Sequence, residues 1–361
     1  MNPSELTIWE DPYYPDKTIK INLPLTSSID LDEVCEDLGI PNYIDLQYFP
    51  MERAVVTLWA AKHAPELPIT YPNEVRKKPF KKPIKIALIG GAAFKIHCPS
   101  TNMGGAFERE LNDVDFVASR KDYKELKDLF LLMGDIAGTR YFHYITPHDN
   151  RFNALNAEWR MLVHTFDGFQ EDGTPVIGVM DVLMNQIRMR HNIDVKKDLE
   201  HPAENLYTIT LENLLLSKCQ FIMEISDEDA EELKRQGDEY RLIDYPKNSE
   251  GKKILGMESK DMKDVSSLLL DHSIGEEPGS LNLKLIEKKC KKDKKCGQTV
   301  RLNLENTYAN IERVPKEVDL GTGLTTIKER LERILEGIPE ASKKWSPPWW
   351  NTDVVTPKII K

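Results

Sequence analysis

The sequence predicts a mixed α/β (α+β) fold, with a mixed sheet flanked by helices and a helical C-terminal part. The apolar run Ile84–Ile89 has the length of a buried strand and leads through two glycines into a helical pattern. Met161–Phe166 and Val176–Leu183 are strand-like runs around Asp172-Gly173, which predicts a hairpin. Apolar residues then recur at helical spacing from Leu211 onward. Strands mixed with helices in this way are typical of a sheet covered by helices.

The composition favours a soluble, cytoplasmic protein. Of the 361 residues, 40% are hydrophobic, but no run approaches the roughly 18–20 apolar residues that span a bilayer. Met1–Trp9 lacks the basic and apolar regions of a signal peptide. Five scattered cysteines suit a reducing compartment. Cys290 and Cys296 could pair or bind a metal, although two thiols without a nearby histidine make a poor zinc site.

Three regions are predicted along the chain. Residues 1–82 form an N-terminal extension punctuated by prolines, with a β-like piece at Lys17–Leu23 and a helix at Met51–His63. Residues 83–270 form the central domain, and residues 271–361 form a C-terminal β and helical extension. Within the central domain, the patterns predict helices at Ala92–His97 and Asp122–Met133 and a strand at Val114–Ala118.

The C-terminal extension is predicted to contain two β-like pieces, Leu281–Ile286 and Thr299–Leu304, followed by a helix. Thr326 and Glu329 have the spacing of a capping box that opens this helix. Its apolar side consists of Ile327, Leu331, Ile334 and Ile338.

Two basic runs stand out in a chain whose net charge of −10 argues against a general nucleic-acid binder. One run holds six cationic residues within positions 76–85, and the other is the lysine-rich stretch 284–295. Each is either a solvated linker or hairpin or a surface that contacts phosphate backbones.

Asp113 and Asp115 carry the strongest functional signal. Side chains two residues apart on a strand point to the same face, and two adjacent carboxylates repel each other unless a cation lies between them. A hard divalent ion prefers such oxygen ligands and keeps positions open for phosphate. Gly90 and Gly91 stand between the preceding strand and a helix N-terminus, which is the arrangement of an anion cradle. The combination suggests nucleotidyl or phosphoryl transfer.

Four further charged residues lie within or next to apolar strand and helix patterns. Asp181, within a predicted strand, would either complete a two-metal site or cap the turn at the strand end. Lys218 lies on the apolar stripe of a helix predicted over Leu211–Ile225, where it would either meet an anion such as a triphosphate or snorkel to solvent. Asp261 and Asp264 share one helical face, and an acidic first turn favoured by the helix dipole is the simpler explanation of that pair.

The order of these features resembles the nucleotidyltransferases of the DNA polymerase β superfamily, and in particular the AbiEii-type branch, which includes toxins of type IV toxin–antitoxin systems. The likeness covers roughly residues 84–270. It rests on Gly90–Ala93, Arg109–Phe116, Asp181, Thr210–Lys218 and Lys260–Asp264. The chain departs from the family pattern in the longer gap between Gly91 and Asp113, in Leu111 where a small hydroxyl residue is common, and in a second glycine where many relatives have serine.

The resemblance implies a polymerase-β-like enzyme that moves a nucleoside monophosphate from an NTP such as ATP to an acceptor by a two-metal mechanism. It implies that Mg²⁺ or Mn²⁺ is bound by Asp113, Asp115 and Asp181, and that Asp181 also activates the acceptor. It implies nucleotide contacts from Gly90, Gly91, Arg109, Lys218 and Asp264. Asp261 would support Lys218 or contact the nucleotide.

The resemblance leaves the acceptor open between a tRNA or other RNA, a protein and a small molecule, with an antitoxin as a further partner and no membrane. The basic run 76–85 is expected to help hold an RNA acceptor. The alternative is a non-catalytic nucleotide-binding or interaction protein that kept the fold. A phosphate-loop kinase and a Rossmann dehydrogenase are disfavoured, because neither Gly-x-x-x-x-Gly-Lys-Ser/Thr nor Gly-x-Gly-x-x-Gly is present.

Overall fold

The computed structural model is a mixed α/β protein with twelve α-helices and twelve strands in the part of the chain that it describes. The described residues are 5–10, 18–22, 30–47, 49–67, 78–111, 113–133, 143–144, 147–169, 175–200, 207–245, 252–314, 320–342 and 344–353. The chain divides into two compact units. The first consists of Met1–Ile96, Glu110–Gln186 and Asp194–Ile209, and the second of His97–Arg109, Ile187–Ile193 and Thr210–Lys361.

The first unit contains an antiparallel pair and a five-stranded mixed sheet. The pair is β1 (Glu5–Glu10) and β2 (Thr18–Asn22). The sheet consists of β3 (Ile86–Ile89), β4 (Val114–Ala118), β5 (His143–Tyr144), β6 (Arg160–Phe169) and β7 (Pro175–Met184). Its strand order is β3-β4-β7-β6-β5, in which β4 and β7 are parallel and all other neighbours are antiparallel. The predicted mixed sheet and the β6–β7 hairpin are confirmed, although the hairpin turn lies outside the described residues.

Six helices belong wholly or mainly to this unit. They are α1 (Leu31–Leu38), α2 (Phe49–Lys62), α3 (Gly90–His97), α4 (Tyr123–Met133), α5 (Pro147–Asn156) and α6 (Lys196–Glu200). Helix α2 contacts β3 and β4, and its Val55 and Leu58 are fully buried. The predicted helix at Ala92 begins two residues earlier, because Gly90 starts the helical turn directly after β3.

The second unit combines two small β elements with six helices. The ribbon β8–β9 pairs Gln186–Arg188 with Asn192–Asp194. The antiparallel sheet β10-β12-β11 is built from Met223–Ser226, Lys252–Leu255 and Leu242–Ile243, respectively. The helices are α7 (Leu211–Lys218), α8 (Asp227–Gln236), α9 (Ser259–Asp271), α10 (Leu283–Lys292), α11 (Lys294–Asn310) and α12 (Thr322–Gly337). Throughout the described ranges, no helix has both the length and the apolar character needed to cross a membrane.

The helix predicted over Leu211–Ile225 is wrong in its second half. Helix α7 ends at Lys218, and Met223 instead opens strand β10, which pairs with Leu255 of β12. Ile222 is buried in a hydrophobic cluster rather than on the stripe of α7. The apolar spacing continued past the helix end because Ile222 and Ile225 are also buried, although they lie outside the helix.

The two β-like pieces predicted near the C-terminus are wrong, because both lie in helices. Asn282 accepts the backbone N–H of Lys284 and caps α10, whose Ile286 and Cys290 are buried four residues apart. The lysine-rich stretch 284–295 therefore consists of nearly all of α10 and the first two residues of α11, rather than a hairpin.

The capping box predicted at Thr326 and Glu329 is also wrong. Helix α12 begins one turn earlier, at Thr322, so these two residues lie inside it. The predicted apolar side is confirmed, since Ile327, Leu331 and Ile334 are buried.

Candidate functional site

Neighbouring strands of the five-stranded sheet bring two of the predicted carboxylates together. Asp115 on β4 is the register partner of Asp181 on the parallel strand β7. In-register residues of adjacent strands point to the same face, so these side chains are neighbours although 66 positions apart in the sequence. Asp113 immediately precedes β4, and its charge acts on Asp181. Three carboxylates therefore belong to one end of the β4–β7 pair.

Gly90 makes room for Asp115. Its φ is +62°, and a Cβ built on it would lie 2.5 Å from Oδ2 of Asp115. The preceding residue, Ile89, is the antiparallel register partner of Asp115, which explains this proximity. A side chain at position 90 is therefore excluded on two grounds, the left-handed backbone and the position of the carboxylate. Gly91 follows as the second residue of α3, so the Asp115 carboxylate lies beside the N-terminal end of that helix, where the helix dipole favours a negative charge.

Arg160, which the sequence analysis did not single out, is a cation beside this carboxylate group. Its Nε donates to Oδ1 of Asp181 at 2.7 Å, and its Nη2 lies 2.5 Å from Oδ2. Burial alone would lower the pKa of Arg160, but Asp181, Asp115 and Asp113 together raise it. Burial and the charge of Asp113 raise the pKa of Asp181, although Arg160 opposes the shift.

The donor set suits a magnesium ion that arrives with phosphate better than one held by the protein alone. Across the described residues, no three His, Cys, Asp or Glu side chains are grouped so that they could hold a metal ion. Mg²⁺ is usually bound through one or two carboxylates together with substrate phosphates and water. Asp113, Asp115 and, once separated from Arg160, Asp181 supply oxygen donors of that kind.

The second unit contains a separate group of charged residues that includes Lys218. Its Nζ lies 2.9 Å from Oδ1 of Asp261 and 2.9 Å from Oδ2 of Asp264. Arg109 binds Asp264 through two parallel bonds, from Nε to Oδ1 and from Nη2 to Oδ2, each 2.8 Å long. Asp264 has no exposed side-chain surface, and the other three side chains are 14% exposed. The four charges cancel within the group.

Local sequence explains how these side chains are presented. Asp261 and Asp264 are three residues apart on α9, so they share a face, as predicted. Lys218 is the last residue of α7, where a cation interacts favourably with the helix dipole. Burial alone would lower the pKa of Lys218, but Asp261 and Asp264 raise it overall, so the amine stays protonated. Lys218 therefore neither snorkels to solvent nor lies bare on an apolar stripe.

The segment between α3 and β4 contains Arg109 and positions it in this group. Ser100 donates through its backbone N–H and its hydroxyl to Asp271 at the end of α9, at 3.0 and 2.6 Å. Phe107 is fully buried and its N–H donates to the carbonyl of Ser100. Gly105 approaches the backbone of Ser100 so closely that a Cβ would lie 2.4 Å from its carbonyl oxygen. The stretch that lengthens the gap between Gly91 and Asp113 is thus a compact loop anchored to α9.

The predicted site residues therefore fall into two groups, one in each unit. Gly90, Gly91, Asp113, Asp115 and Asp181 belong to the first, and Arg109, Lys218, Asp261 and Asp264 belong to the second. Arg109 and Asp264, which the resemblance assigned to the nucleotide, bind each other.

The basic run 76–85 is only partly described. Arg76 and Lys77 lie outside the described residues, and Lys82 binds the buried carboxylate of Asp122 at 2.6 Å. Lys78 and Lys81 are exposed.

Comparisons with protein-family models, with curated proteins and with solved structures find no match to this chain.

Proposed function

We propose that this protein is a magnesium-dependent nucleotidyltransferase of the polymerase-β-like, AbiEii-type class, which moves a nucleoside monophosphate from an NTP to an acceptor. The observation that carries the proposal is the pairing of Asp115 with Asp181 on adjacent parallel strands, with Asp113 two residues away and Gly90 packed against Asp115. Aspartates from two strands beside a glycine-led helix are what a metal-assisted transfer of a phosphoryl group requires.

Under this proposal each group has a distinct role. Asp113 and Asp115 would hold Mg²⁺ or Mn²⁺, which would supply positive charge to stabilise the phosphate oxygens. Asp181, whose pKa burial raises although Arg160 opposes the shift, would accept the proton of the attacking hydroxyl while that oxygen bonds to the α-phosphorus and pyrophosphate leaves. Lys218, held protonated, pairs with Asp261 and Asp264 within the charge-balanced group of the second unit and links α7 to α9.

The proposal is tested by incubating the full-length chain with each α-labelled NTP, with and without Mg²⁺ or Mn²⁺. Total RNA, the protein itself and a small-molecule extract serve as acceptors, and each fraction is then examined for label. We expect label in one fraction only when the divalent cation is present. The matched control is Asp113→Asn, which removes one charge from an exposed position and should leave the fold intact.

The same experiment distinguishes this proposal from its rival, a non-catalytic nucleotide-binding protein that keeps the fold. That rival predicts NTP binding without label in any fraction, for the wild type as well as for Asp113→Asn. Transfer by the wild type at a rate that Asp113→Asn does not change would show that the carboxylates are not the centre of the chemistry.

A further inference from the structure

The lysine-rich stretch 284–295 carries a concentrated positive charge on the second unit. It holds seven lysines and two acidic residues, a net charge of +5 in a chain whose net charge is −10. Lys284 pairs with Glu276, and Lys291 pairs with Glu287. The other five form no ion pair with any residue that the structure describes, and this lysine cluster consists of Lys288, Lys289, Lys292, Lys294 and Lys295.

Helix α10 presents much of the lysine cluster to solvent. Its buried side carries Ile286 and Cys290, whereas Leu285, Lys288 and Lys292 are exposed at helical spacing. Neighbouring ammonium groups repel one another, so a polyanion that neutralises them is favoured. Leu285 is the single exposed large apolar side chain of α10, but a helix that lies in a membrane surface needs a broad apolar face. The surface therefore suits a polyanion better than a lipid bilayer.

A cavity of about 320 Å³ adjoins the lysine cluster. Cys290 and Lys294 line it from the junction of α10 and α11, and Gln298 lines it from the first turns of α11. Glu340 and Trp345, which follow α12, complete the lining that concerns recognition. Sites for small molecules have volumes of about 300–1,000 Å³, so this cavity can hold one small flat group. It joins an ammonium group to an aromatic wall.

Hydrogen bonds hold the aromatic wall in place. The backbone N–H of Ser342 donates to Oε1 of Gln298 at 2.8 Å, and Nε2 of Gln298 donates to the hydroxyl of Tyr245 at 3.2 Å. That hydroxyl lies 2.8 Å from the carbonyl oxygens of both Ser342 and Trp345. Trp345 also packs against the buried hydrophobic cluster that contains Tyr245 and Trp349. Because the wall is already ordered, a ring that stacks on it pays little for ordering the protein.

The two parts of this surface match the two parts of a nucleotide. Lysine ammonium groups bind phosphate as point charges, and proteins that bind single strands combine a positive groove with aromatic side chains on which bases stack. Glu340 is the acidic residue of the lining, and it can accept a hydrogen bond from an amino group of a base. An acidic peptide would neutralise the lysine cluster but would not require the cavity.

We propose that the lysine cluster and the cavity bind a single-stranded polynucleotide, with one base against Trp345 and the adjoining phosphates on Lys292, Lys294 and Lys295. This inference goes beyond the proposed transfer reaction and does not depend on it, because binding at this site needs neither an NTP nor a divalent ion. Either can therefore fail while the other stands.

The test measures the fluorescence anisotropy of a labelled single-stranded RNA of about 12 nucleotides, a length within the site sizes of single-strand-binding folds. The full-length protein is titrated at several KCl concentrations without NTP or divalent ions. The triple variant Lys292→Gln, Lys294→Gln and Lys295→Gln should lower the slope of log affinity against log salt by about 2, because each phosphate contact of a single strand contributes about 0.7.

A second triple variant removes the same charge elsewhere in the second unit. It replaces with glutamine three exposed lysines that each pair with an acidic residue, namely Lys234, Lys253 and Lys260. We expect this control to leave the salt slope unchanged, because net charge alone does not define the site.

Trp345→Leu separates base recognition from charge. It should weaken RNA binding about five- to hundredfold, which is the contribution of one stacked base, and leave the salt slope unchanged. An oligonucleotide of the same length built from abasic nucleotides carries the same phosphates, and it should bind the wild type more weakly than the RNA by the same factor. Urea unfolding shows whether Trp345→Leu is folded, and the comparison of the two probes on the wild type decides the point if it is not.

Three results would overturn the inference. The first is a salt slope that the cluster variant lowers no more than its control does. The second is equal affinity of the wild type for the RNA and for the abasic chain, which would show a polyanion on the lysines with no base in the cavity. The third is lysine-dependent binding to phosphatidylserine vesicles without binding to RNA, which would assign the surface to a membrane.

Discussion

Replacing Gly90 with alanine is the perturbation that tests the carboxylate group most directly. Two costs follow from the structure. The φ of +62° costs an L-residue roughly 1–2 kcal/mol, partly offset because alanine restricts the unfolded chain. The new Cβ would also lie 2.5 Å from Oδ2 of Asp115, whereas ordinary contact begins at 3.4 Å. The carboxylate must therefore move by about 0.9 Å, at an overpacking cost of roughly 1–3 kcal/mol.

Gly39→Ala separates these two costs. Gly39 belongs to the same unit and has a φ of +67°, but nothing lies within 4 Å of the Cβ that would be added. Gly39→Ala should therefore destabilise by about 1 kcal/mol through backbone strain alone. The additional cost of Gly90→Ala measures the contact with Asp115. That additional cost should largely disappear when both variants are compared in an Asp115→Ala background, which removes Oδ2.

The assay combines urea unfolding with nucleotidyl transfer. Because a displacement of about 1 Å in a catalytic group can reduce a rate 10²-fold, Gly90→Ala should lose about two orders of magnitude of transfer. Gly39→Ala should keep wild-type transfer once corrected for its folded fraction. Equal stability losses for the two variants, together with normal transfer by Gly90→Ala, would refute the packing of Gly90 against Asp115.

Four further predictions concern the two groups and the basic run. Asp113→Asn should reduce divalent-dependent transfer by orders of magnitude and leave the unfolding midpoint unchanged or slightly raised, because it relieves repulsion among the carboxylates; unchanged transfer would contradict the assignment. Lys218→Met should lower stability, since it leaves the buried Asp264 and the half-buried Asp261 short of a cation; a variant of wild-type stability in urea unfolding would show that the lysine contributes nothing to this group. Burial alone would raise the pKa of Asp264, but Lys218 and Arg109 lower it overall. The stability contributed by ionised Asp264 is therefore present above about pH 4 and is lost as the pH falls further. Asp264→Asn should flatten this acid loss in unfolding measured from pH 5 to 2, and an unchanged slope would contradict the shift. If the acceptor is an RNA, replacing the exposed Lys78 and Lys81 with glutamine should flatten the salt dependence of RNA binding without changing NTP affinity; an unaltered slope would exclude this run as the RNA surface.

The sequence by itself determined the features that depend on local physics. The limits of β4, the β6–β7 hairpin and the shared face of Asp261 and Asp264 follow from periodicity and turn chemistry, which act over a few residues. The two-residue spacing of Asp113 and Asp115 likewise marked one end of the sheet as charged. These parts of the fold and the site could be predicted because no distant segment is needed to decide them.

The predictions for α10 and for the end of α7 were wrong for the opposite reason, because distant segments decide these elements. Alternation at Leu281–Ile286 resembled a strand, but the segment forms α10 because Asn282 caps it and Ile286 is buried at helical spacing with Cys290. Helix α7 stops at Lys218 because the residues beyond it pair with β12. In both places tertiary burial overrode a short apolar pattern that fits either type of structure.

Only the tertiary structure decided which charges meet. The parallel register of β4 and β7 sets Asp115 beside Asp181, the antiparallel register of β6 and β7 adds Arg160, and the loop anchored to α9 brings Arg109 to Asp264. Periodicity assigns each side chain to a face but carries no information about which distant strand lies next to it. A buried charge indicates that it needs a partner, and the folded chain alone identifies that partner.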